Sequence, residues 1–87
     1  MEIRIKMPFC ISPRLIDIRV AEGDEITPGD ILFSYEADGA LLFEYSACRG
    51  KVTAVLVTPG RDVHCGDTVL TVNGSAAKYG DELFPLR

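Results

Sequence analysis

Positive charge is not in excess in this sequence: nine Lys and Arg stand against thirteen Asp and Glu, a formal net charge of −4. Such a surface has no general attraction for phosphate backbones or anionic lipid, which argues against nucleic-acid and membrane partners. Long apolar runs are missing as well. Stretches such as Ala54-Val55-Leu56-Val57 extend only a few residues, and Met1-Glu2-Ile3-Arg4-Ile5-Lys6 alternates charged with apolar side chains, unlike a signal sequence. A cytoplasmic protein is expected. Cysteine is scarce and unpatterned: Cys10, Cys48 and Cys65 are an odd number with no Cys-x-x-Cys spacing, which suits neither a closed disulfide framework nor a four-ligand zinc site. Three reduced thiols are expected. No set of carboxylates, histidines or cysteines has the spacing of an acid–base pair, a metal site or a nucleophilic triad, so neither enzymatic activity nor a cofactor is expected.

What is present is enough for one domain with one modest core, since 87 residues are too few for two. A composition of 47% hydrophobic and 25% charged residues is that of a folding chain. Helical spacing of apolar residues is sustained nowhere, whereas short β-branched and aromatic runs recur between Gly, Pro and Asp. Strands are expected near 3–7, 15–20, 31–37, 40–46, 51–57 and 68–73, with two very short ones around Ile26 and Val63.

The chain also repeats itself. Sliding Leu15–Tyr35 onto Val52–Val72, an offset of 37, places Val20 on Val57, Gly23 on Gly60, Gly29 on Gly66 and Asp30 on Asp67. Apolar pairs such as Leu15/Val52, Ile26/Val63 and Phe33/Leu70 stay in register between them. Each half reads as strand, Val-x-x-Gly, spacer, Gly-Asp, strand. Neither half can bury an apolar face alone, so the expected fold is all-β: a flattened sandwich or barrel of two quasi-symmetric four-stranded halves.

The doubled motif resembles the lipoyl/biotinyl carrier-domain family over roughly residues 3–73. The resemblance rests on Met7-Pro8, Val20-Ala21-Glu22-Gly23-Asp24, Pro28-Gly29-Asp30-Ile31-Leu32, Glu36-Ala37-Asp38-Gly39-Ala40, Gly50-Lys51-Val52 and Gly66-Asp67. A domain is expected over 1–74, and since the chain turns polar and linker-like after Val72, residues 75–87 are expected to be a tail on which the resemblance is silent. In that family a lysine at the tip of the hairpin joining the halves receives lipoate or biotin, typically within Glu-Thr-Asp-Lys-Ala in the lipoyl form. Here Glu36, Asp38 and Ala40 match those flanks, and Gly39 stands where the lysine would be. An amide-linked arm needs an ε-amine, so none can be attached at Gly39. Lys6, Lys51 and Lys78 remain, none of them in a two-residue hairpin. Asp38-Gly39 between apolar-rich arms reads as a type I′ turn.

Other candidates are weaker. His64 and Cys65 are adjacent, so in an extended chain they point apart and make a poor base–nucleophile pair; both read as ordinary loop positions. The resemblance places Cys10 and Arg14 in a loop near the hairpin that helps partners recognise it. Hairpin alternation puts Tyr35, Ala37, Ala40 and Leu42 on one face and Leu41, Phe43 and Tyr45 on the other, so either another surface covers Leu41 and Phe43 or a bulge reorders the faces. The segment Leu83-Phe84-Pro85-Leu86-Arg87 either docks on a partner or folds back over the domain. The expected function is a non-catalytic lipoyl-domain-like accessory or protein-interaction module. Its expected partner is an acyltransferase, dehydrogenase or carboxylase component, with a homo-oligomer also open. The alternatives are a carrier with an unrecognised attachment site and a structural assembly module.

Overall fold

The computed structural model describes residues 1–76; most of the expected tail, including Lys78 and the apolar ending, lies outside them. Seven strands run through the described residues: β1 (Glu2–Lys6), β2 (Arg14–Ile18), β3 (Glu25–Ile26), β4 (Ile31–Ala37), β5 (Ala40–Tyr45), β6 (Cys48–Val55) and β7 (Thr68–Ala76). They form two antiparallel sheets, ordered β1-β7-β6-β3 and β2-β4-β5. No helix occurs among the described residues.

The alternation that makes these segments strands also decides what they bury. Leu15 of β2, Phe33 and Tyr35 of β4, Val52 of β6, and Leu70 and Val72 of β7 point into one core, joined by Ile26 of β3 and by Met7 and Val63 from the connections. Val20 and Val57 both pack against this core from half-buried positions. Burying such side chains supplies roughly 1.5–3 kcal/mol each, enough to order a small all-β domain only because both sheets share the same interior.

The two ladders have a common register. Arg14–Glu36, Leu15–Tyr35, Asp17–Ser34 and Ile18–Phe33 pair in β2/β4, and 37 residues later Lys51–Asn73, Val52–Val72, Ala54–Thr71 and Val55–Leu70 pair in β6/β7. Each ladder skips one residue at the same step, leaving Ile16 and Thr53 as the extra residues of two bulges. Turn bonds match as well. The Gly23 amide donates to the Val52 carbonyl at 2.8 Å and the Gly60 amide to that of Leu15 at 3.0 Å. Asp30 and Asp67 each accept a backbone amide three residues upstream, from Thr27 and His64, at 2.9 Å.

Three expectations need correction. The short strand at Val63 is absent: the chain there makes only an isolated bridge, Arg14 to Asp62, while Val63 itself is buried as a peg between turns. Strand β6 starts at Cys48, three residues before the expected strand at 51, because Cys48, Arg49 and Gly50 continue the ladder onto Ala76, Ser75 and Gly74. For the same reason β7 runs from Thr68 through Ala76, past the expected end of that strand at 73.

Candidate functional site

The hairpin between β4 and β5 is built as its sequence dictates. Ala37 pairs with Ala40 across a two-residue loop, and Asp38 and Gly39 take φ of 52° and 77°, the double left-handed geometry of a type I′ turn. Gly39 is exposed, and a Cβ built on it would meet nothing within 4 Å, so the tip has room for a side chain that the sequence does not supply. Of the described lysines, Lys6 ends β1 and Lys51 sits within β6 opposite Asn73. Neither is at a turn.

The residues singled out beside the hairpin fall into rows across the three-stranded sheet. Arg14 of β2, Glu36 of β4 and Leu41 of β5 are consecutive partners, and the next outward row holds Asp17, Ser34 and Phe43. Paired residues point to the same side of a sheet, so Arg14, Leu41 and Phe43 share the outer face. The register shift in this hairpin falls between Ile31 and Phe33, away from residues 40–43, so no bulge reorders the faces there. Leu41 is 56% exposed, Phe43 38% and Tyr45 55%. On the inner face Tyr35 and Ala37 are buried, whereas Ala40 and Leu42 stay exposed. Strand β5 is therefore an edge strand with apolar side chains open to solvent on both sides. Strand β1, one edge of the other sheet, instead carries Glu2, Arg4 and Lys6 at its exposed positions.

Glu44 interrupts the inner side of β5 opposite Phe33. Burial pushes its carboxyl above the usual glutamate value. The Tyr35 hydroxyl is raised by burial first, then by the charges of Glu44 and Cys10.

Cys10 sits in the β1–β2 connection between two exposed apolar residues, Phe9 at 95% and Ile11 at 72%. Its amide donates to the Cys65 sulfur at 3.2 Å, and the Cys65 thiol donates back to the Cys10 carbonyl. Desolvation, the neighbouring Cys65 and the hydrogen bond to it all raise the Cys10 thiol pKa. Sequence reading placed Cys10 near the hairpin and treated Cys65 as an ordinary loop residue; the structure brings the two together. His64 points away into solvent, its Nδ1 3.6 Å from Asp67. All three described cysteines are free thiols, Cys48 being the buried one.

Among the described residues no group of three or more His, Cys, Asp and Glu side chains is placed to hold a metal, and no helix is long and apolar enough to cross a membrane. The sequence matches no known family profile, nor any curated protein.

Proposed function

We propose that this chain is a degenerate lipoyl/biotinyl-type carrier domain, two related halves joined by a hairpin, that works as a non-catalytic accessory or protein-interaction module. The observation that carries the proposal is the type I′ hairpin, which lies between two ladders of identical register and presents Gly39 in place of an amine. The module engages its partner through the exposed apolar side chains of β5, and a component of an acyltransferase or 2-oxo acid dehydrogenase-type system is the partner class the resemblance favours.

Co-expression with lipoate and biotin ligases tests the first half of this reading. The wild-type protein should keep its unmodified mass, and Gly39→Lys, which recreates Glu-x-Asp-Lys-Ala, should gain a lipoyl group. A lipoyl or biotinyl mass on any wild-type lysine would make the protein a carrier instead. A folded Gly39→Lys protein that no ligase modifies would argue against the inherited turn geometry.

A further inference from the structure

We propose that Cys10 and Cys65 form a dithiol modification site that closes to an internal disulfide by exchange with low-molecular-weight disulfides such as glutathione disulfide. The pair lies 55 residues apart in sequence, yet the Cys65 sulfur rests on the backbone of Cys10, touching its amide at 3.2 Å and its carbonyl. Cys65 also acts directly on the Cys10 thiol, so the two side chains are neighbours, and closing the bond needs the Cys10 thiol to rotate toward Cys65. At present the Cys10 thiol donates to the Pro8 carbonyl at 3.1 Å, a bond the rotation gives up.

The approach does not depend on loose loops. The Met7 amide donates to Asp67 at 2.8 Å, and the Gly66 amide donates to Met7 at 2.9 Å. These two backbone bonds fasten the connection before Cys10 to the turn that carries Cys65. Access is equally defined: Cys65 opens onto a groove of about 520 Å³, lined also by Ser12, Arg14, Asp62 and His64. Cys48 has no such opening, being 2% exposed and packed in the core.

The chemistry runs in two displacements. The Cys65 thiolate attacks one sulfur of the small disulfide, whose S–S bond breaks and releases one thiolate. The Cys10 thiolate then attacks the Cys65 sulfur of the mixed disulfide, forming the internal S–S bond and releasing the second thiolate. Two cysteine thiols are oxidised and the small disulfide is reduced to two thiols, which take up the two protons the cysteines lose. Cys10 suits the second step. Burial and the neighbouring Cys65 hold its proton, and capping Cys65 removes the neighbour's charge.

The test is intact mass and peptide mapping of the reduced protein after equilibration in glutathione buffers of increasing oxidised fraction. The wild type should lose the mass of two hydrogens, give a linked Cys10–Cys65 peptide and retain no glutathione. Cys10→Ser should instead hold one persistent glutathione on Cys65, and Cys48→Ser should behave as the wild type. Wild-type peptide mapping excludes Cys48 even if that core variant fails to fold. A lasting glutathione adduct on the wild type, a linkage through Cys48, or thiols that stay reduced in fully oxidised glutathione would overturn the proposal.

Discussion

Gly50 and Gly74 face each other across β6 and β7 so closely that a Cβ built on either would fall 2.7 Å from the other's Cα. No rotamer change relieves such an overlap, because backbone atoms are the obstacle. The ladder at this point is made for two glycines. Replacing Gly50 by Ala should therefore lower stability by about 1–3 kcal/mol, as overpacking does, with the loss read as a lower urea midpoint at unchanged slope.

The apolar side chains of β5 give the opposite expectation. Leu41 and Phe43 are exposed, so Leu41→Ser with Phe43→Ser should change stability by no more than about 0.5 kcal/mol per site while weakening association measured by light scattering or partner pull-down. Leu15→Ala, at a fully buried position, should cost about 2–5 kcal/mol and serves as the contrast. A monomeric wild type combined with a strongly destabilised double variant would remove the interface from the proposal.

Asp30 and Asp67 test the internal repeat energetically. Each carboxylate accepts one backbone amide at 2.9 Å, and Asp30 also receives the Thr27 hydroxyl at 3.3 Å. Ala at either position should cost about 0.5–1.5 kcal/mol, and Asp30 should be equal to or slightly above Asp67. Thermal unfolding of the two single variants makes the comparison; a large cost at one and none at the other would separate the halves.

Glu44 sets a pH dependence of definite sign. Burial raises its folded pKa above the unfolded value, so the folded state binds the proton more tightly. That contribution is fully present below the unfolded pKa and is lost as pH rises through the folded one. Glu44→Gln should flatten this fall and stabilise the protein at neutral pH relative to the wild type. Denaturant midpoints measured from acidic to neutral pH show whether the slope disappears.

Much of the fold was legible because its signals are local or periodic. Asp38-Gly39 announces its own turn, and the 37-residue offset carried Leu15/Val52 and Phe33/Leu70 into matching ladder positions. The missing strand at Val63 shows the limit of such reading. An apolar residue between two turns fits a peg as well as a strand, and only the neighbouring backbone decides. The Cys10–Cys65 contact was out of reach for another reason. The repeat matches Cys65 to Pro28, a residue with no thiol, and nothing within either loop encodes an approach across 55 residues.

The edges of the two sheets are unequal in a way that governs growth. Strand addition to β1 meets Arg4 and Lys6, addition to β2 meets Arg14 and Asp17, and β3 offers two residues, one of them Glu25. Among the four edge strands described, only β5 exposes apolar side chains on both faces, and its one charge, Glu44, is half-buried on the inner side. A fibre must be sticky at two ends in order to propagate, and the described strands offer one adhesive border. A partner docked along β5 would cover that border, and the described strands offer no second one from which a filament could extend.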